Sequence, residues 1–115
     1  MNQTPYYTAQ SVASHLARSY KNILRWNAES GEFQKLHGNW VEIDAVRVEH
    51  YVRSAICTLL GHAMNIGEDA RNELYSLDNE TGYNQIAQLA AQELRYPVIE
   101  DTVEEPVEAV EEVRA

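Results

Sequence analysis

Apolar positions along this 115-residue chain recur with helical spacing in several short blocks, separated by residues that favour turns. The first block covers residues 9 to about 17. Thr8 can serve as its N-cap, and Val12, Ala13 and Leu16 fall on one face. Ala17-Arg18-Ser19 reads as a turn that ends it. Ser19 can then cap a second helix over about 19–29, burying Ile23 and Trp26 with Leu24 beside them, and Gly31 supplies its stop. Phe33, Leu36, Trp40, Val41 and Ile43 flank His37-Gly38-Asn39, the pattern of two short strands around a Gly-Asn turn.

Asp44 predicts the N-cap of a long helix. On it Val48, Tyr51, Val52, Ala55, Ile56, Leu59, Leu60, Ala63 and Met64 return at steps of three and four. So wide a stripe must be covered by other helices or by a second copy of the chain. Asn65 and Glu68 are placed for a capping box, followed by a short helix to about Leu77 that carries Ala70, Leu74 and Leu77 inward. After a turn at 78–82, Tyr83, Ile86, Ala87, Ala90 and Leu94 form a last stripe, closed by Pro97. From residue 98 the run "VIEDTVEEPVEAVEEVRA" carries seven acids, one arginine and no aromatic residue. Such a composition predicts a disordered acidic tail.

Composition is that of a soluble globular chain, 44% apolar and 23% charged, with no run long enough for a membrane helix and no basic-then-apolar start of a secretory signal. The single cysteine, Cys57, excludes an internal disulfide and a cysteine zinc site, and a cytoplasmic setting is the default expectation. A net charge of −9 argues against nucleic acid, but it is unevenly spread. Residues 1–54 hold six basic side chains (Arg18, Lys21, Arg25, Lys35, Arg47, Arg53) and five acidic ones, whereas residues 55–115 hold three and thirteen. The acidity belongs to the second half, and DNA binding stays open for the first.

The order helix, turn, helix, hairpin, helix is that of a small winged helix-turn-helix. The segment "YYTAQSVASHLARSYKNILRWNAESGEFQKLHGNWVEIDAVRVEHYV" resembles the MerR-like, excisionase-type members of that superfamily. "YTAQSVASHL" looks like their first helix, "SYKNILRW" like the recognition helix, "SGEF" with "HGNWVEI" like the wing, and "VEHYV" like the closing helix. The pattern departs at Ala17 and Arg18, where the family's turn has a small Gly or Asn and an apolar residue, and at Gln34, where its wing often starts with proline.

Stripes and composition predict a helical packing or oligomerisation region over 55–97 and the tail over 98–115, and before them the resemblance implies a winged helix-turn-helix with a small two-stranded wing over 1–54, in a mainly α fold. It also implies double-stranded DNA as partner, with the helix at 19–29 in the major groove. Tyr20, Lys21, Asn22 and Arg25 would then face bases and phosphates, with Arg18 and Ser19 at the turn and Lys35, His37 and Asn39 on the wing. So few cations predict weak binding by one copy, hence at least a dimer. The architecture is similar to phage excisionase-like regulators and terminase small subunits.

Catalytic chemistry is not apparent. His15, His37, His50 and His62 form no HExxH, the glycines are scattered singly, and His50 and Cys57 are seven residues apart, about 10 Å along a helix. Cys57 reads as a packing cysteine and Glu49–Arg53 as a surface pair. The expectation is a non-enzyme without cofactor or metal. The alternative is an acidic protein-interaction module that acts as inhibitor or DNA mimic through its C-terminal half.

Overall fold

The computed structural model describes residues 4–97, so the tail expected from residue 98 lies outside the described residues. Four helices and four short strands follow one another as α1 (Ala9–Tyr20), β1 (Leu24–Asn27), β2 (Glu32–His37), β3 (Asn39–Glu42), α2 (Ala45–Ala63), α3 (Glu68–Leu77), α4 (Glu80–Glu93) and β4 (Arg95–Tyr96). The strands form one sheet in the order β3-β2-β1-β4, antiparallel except for the parallel pair β1/β4.

The first helix begins as its sequence requires. The Thr8 hydroxyl accepts from the Ser11 amide, and the Ser11 hydroxyl accepts from the Thr8 amide, a reciprocal box. It does not end at Ala17. Ala17 and Arg18 are good helix formers, no glycine or proline interrupts the run, and Ala17 is itself buried, so the helix continues to Tyr20.

This moves everything downstream. The helix expected over 19–29 is absent, and the described residues therefore hold no recognition helix there. In its place β1 alternates: Leu24 is buried in the core, Arg25 points to the opposite face, and Trp26 returns to the core side. Ile23, expected inside, is exposed. Gly31 does break the chain, but in the loop between β1 and β2: its amide bonds the Asn27 carbonyl at 2.8 Å, four residues back, and its φ of +72° suits glycine. The segment Ile23–Trp26 carries the β-branched Ile23 and the aromatic Trp26, and its backbone is satisfied by pairing with β2 and β4 in place of the helix expected over 19–29.

The hairpin expected around Gly38 is present, with His37 opposite Asn39 and Gly38 at φ +75° between them. It is one half of a four-stranded sheet rather than a free two-stranded wing. Asp44 caps α2 by accepting from the Arg47 amide at 2.9 Å. Val52, Ala55, Ile56, Leu59 and Ala63 are buried along α2, but Met64 is exposed. The capping box expected from Asn65 and Glu68 is absent; Gly67, at φ +146°, stands at the N-cap of α3 without a side-chain bond. Asn79 caps α4 through the Gly82 amide, so Gly82 lies within the first turn of that helix rather than closing a loop.

The helical stripes close over one another and over α1. Val12, Leu16, Leu24, Val52, Ile56, Leu74 and Ile86 are the largest fully buried side chains and belong to one cluster, each contributing about 1.5–3 kcal/mol by burial. The boundary expected at 54/55 falls inside α2, and that cluster draws on both sides of it. A polar seam ties α1 to α4, where Ser14 Oγ and Gln10 Nε2 both donate to the Glu93 carboxylate, at 2.6 and 2.9 Å.

Candidate nucleic-acid interface

The α1–β1 turn and the β2–β3 hairpin tip meet at one end of the sheet. The Leu36 amide donates to the Ile23 carbonyl at 2.8 Å, which carries the β2 edge past the end of β1. Lys21 and Asn22, just before Ile23, thereby come beside His37 and Asn39, just after Leu36; all four are exposed. Arg18 is exposed in the last turn of α1, where it and Lys21 also face the negative end of the helix dipole. Lys35 and His37 line a cleft of about 510 Å³ against the start of α2, together with Arg47 and the carboxylates of Glu42 and Asp44. Seven of the nine residues implied as DNA contacts thus gather at or near this end (Arg18, Ser19, Lys21, Asn22, Lys35, His37, Asn39).

Two do not join them. Tyr20 is half-buried against α2, its ring edge-on to Tyr51 at 4.8 Å between centroids and its hydroxyl 3.2 Å from Ser54 Oγ. Arg25 lies on the outer sheet face, its guanidinium 4.3 Å from the Trp40 ring centroid and 4.0 Å from that of Tyr96. Its Nε donates to Gln34 Oε1 at 2.7 Å. Both side chains are engaged in contacts within the fold.

The opposite, helix-facing side of the sheet is incompletely covered. Trp26 and Phe33 are cross-strand partners, and the side chains of α4 that face them are the small Ala87 and Ala91. The result is an open groove of about 780 Å³, edged by Asn84, Gln88 and Gln92 and closed at one end by Arg95. The Arg95 Nε is buried there without a hydrogen-bond partner. The sequence signalled part of this: Asn84, Gln88 and Gln92 recur at i, i+4, i+8 beside two alanines, but only the tertiary arrangement sets them opposite two aromatic rings.

Other chemistry is sparse. Among the described residues no cluster of three or more His, Cys, Asp or Glu side chains gathers as a metal site. No helix among them is long and apolar enough to cross a membrane. Cys57, expected to pack, is exposed on the outer side of α2. Glu49 and Arg53 do pair, at 3.8 Å and largely in solvent, so the pair adds little stability. Burial, then the charges of Arg18 and His62, hold the His15 imidazole below its ordinary range. The Tyr83 hydroxyl bonds the Asp78 carboxylate, and that bond foremost pushes the phenol up. Compared with family models, with curated proteins and with solved structures, the chain matches none.

Proposed function

We propose that this chain is a non-enzymatic protein that binds double-stranded DNA through the β2–β3 hairpin tip and the adjoining C-terminal end of α1. The single observation that carries this reading is the Leu36–Ile23 bond, which joins two basic, exposed segments separated in sequence into one protruding edge. A two-stranded ribbon is narrow enough to enter the major groove, as a helix is. In this mode His37 and Asn39 reach base edges, with Asn39 suited to adenine, while Arg18, Lys21, Lys35 and Arg47 meet phosphates. Ser19 and Asn22 add short polar contacts at the flank.

Four phosphate contacts give modest affinity, with log K falling against log salt at a slope of about −3 to −4 per copy. Two copies on adjoining sites double that slope, so a dimer is the expected working form. The test is a fluorescence-anisotropy titration of pooled duplexes at low salt, with the wild type, Lys21→Glu/Lys35→Glu, and His37→Ala/Asn39→Ala. The charge variant should lose binding to all sequences, and the tip variant should lose sequence preference first. If the wild type does not bind, or both variants bind as it does, the reading is wrong. In that case the acidic interaction module is the function to pursue.

A further inference from the structure

The groove between β1/β2 and α4 has no part in the DNA reading, and its two ends carry opposite charge. Its floor is the Trp26–Phe33 pair, and its wall is Ala87 and Ala91, too small to cover the rings. At one end Arg95 sits over the edge of the floor, its guanidinium 6.0 Å from the Trp26 ring centroid. Among the described residues no acid pairs with it, and its Nε is buried without a partner. Glu93, the acid nearest in sequence, is taken up by Ser14 and Gln10. At its other end the groove runs on into a cleft of about 350 Å³ that shares Trp26, Phe33, Asn84 and Ala87 and carries Glu32, Glu49 and Glu80. Of these acids Glu49 pairs with Arg53, which leaves Glu32 and Glu80 without a cation among the described residues.

Along the rim Asn84, Gln88 and Gln92 follow one another on α4 every four residues, a rise of about 6 Å per step, and all three are exposed. An extended chain repeats every two residues, about 6.6 Å. Each amide side chain carries both a donor and an acceptor, so the row matches every second peptide group of a strand laid along it, with the alternate side chains turned down onto the rings. We infer that the groove takes the C-terminal end of a partner protein in extended form. Its terminal carboxylate meets Arg95, apolar side chains at every second position cover Trp26 and Phe33, and a Lys or Arg about five residues upstream reaches Glu32 and Glu80. Charge sets this direction, because a guanidinium fork fits a carboxylate best. Arg95 also closes its end of the groove, so the chain that brings the carboxylate stops there. The lengths agree, since Asn84 to Gln92 spans about 12 Å of helix, or about four residues of strand. Residues 98–115 of the chain itself carry seven acids and one arginine, the wrong sign for the acidic end, and a foreign C-terminus fits where they do not.

The test uses the full-length chain without DNA, so that its outcome is independent of the DNA-binding result. The probe is a pool of acetylated hexapeptides, Lys-X-Ser-X-Ser-X, in which X is Val, Ile, Leu or Phe and the last residue keeps its free carboxylate. The same pool with an amide end is the comparison. In labelled protein the Trp26 indole and the side-chain amides of Asn84, Gln88 and Gln92 should shift saturably with the acid pool. The amide pool should bind at least about tenfold more weakly, the loss of one charge-assisted pair. Arg95→Gln should bring the two pools to the same affinity, and Ala91→Leu, which fills the groove, should weaken both with the helical spectrum intact. Absence of shifts, or equal affinity of the two pools for the wild type, overturns the proposal. Shifts of the same resonances with decanoate but not with the acid pool overturn it in favour of a small-molecule acid. Shifts that follow protein concentration alone, with no response to peptide, overturn it in favour of a second copy in the groove.

Discussion

Arg25 and Gln34 face each other across β1 and β2, and the Arg25 Nε donates to the Gln34 Oε1 at 2.7 Å. Gln34 is the buried polar side chain of the sheet, 8% exposed, and this bond meets its carbonyl need. The same guanidinium is stacked between Trp40 and Tyr96, from β3 and β4, so one side chain on β1 links all four strands.

Arg25→Ala should therefore cost about 2.5–5 kcal/mol, the sum of a charge-assisted bond and two partly exposed cation–π contacts. Arg25→Lys should recover less than half of that, because an ammonium presents no flat face to two rings. Denaturant titration of the three proteins checks this. Equal midpoints would show that the stack carries no stability, and a loss of DNA affinity without loss of stability would return Arg25 to the contact surface.

Two glycines inside helices should respond with opposite signs to the same substitution. A Cβ on Gly82 would lie 2.1 Å from the Leu77 carbonyl oxygen, where α3 hands over to α4, and backbone cannot yield as a side-chain tip can. Gly82→Ala should destabilise by about 1–3 kcal/mol. Gly61, in α2, has nothing within 4 Å of its added Cβ, and Gly61→Ala should stabilise by about 0.5–1 kcal/mol. Thermal melts of both read the difference, and a common sign would contradict the packing of α3 on α4.

Stability should fall as pH drops through the range of His15. Burial first, then Arg18 and His62, disfavour its charged form in the folded chain. Its folded pKa thus lies below the unfolded value of 6.5, and the unfolded state binds more protons as acid is added. The contribution is complete above 6.5 and is lost as pH falls from there through the folded pKa. His15→Gln should flatten this part of the profile, and an unchanged slope would show that another group titrates.

Asp44 offers a way to separate stability from DNA affinity. It caps α2 and also lines the cleft with Lys35 and Arg47. Asp44→Asn should keep the cap, since the two residues cap equally well, while removing a negative charge from the proposed phosphate surface. DNA affinity at low salt should rise several-fold with the melting temperature unchanged. Unaltered affinity would place the DNA elsewhere.

The amphipathic second half was readable because its signal is periodic and redundant. Val52, Ile56, Leu59, Leu74, Ile86 and Ala90 each repeat the same message, and each is buried. The hairpin at Gly38 and the cap at Asp44 were readable because one residue type meets one local need: a positive φ in the turn, an acceptor at a helix start. Ser19 to Trp26 was not readable in that way. Leu24 and Trp26 suit a strand with period two, while Ile23 and Trp26 suit a helix with period near 3.6, and a run this short satisfies both.

Only the tertiary structure chose between them. The edge of β2 was available on one side and β4, nearly seventy residues later, on the other, and the backbone of β1 pairs with both. That choice set Arg25 into a stack, brought Lys21 beside His37, and left Trp26 and Phe33 over an open groove. Local chemistry determined where α1 and α2 start and which faces the later helices bury. The sheet, and with it both candidate surfaces, depended on partners distant in the chain, whose pairing no local pattern encodes.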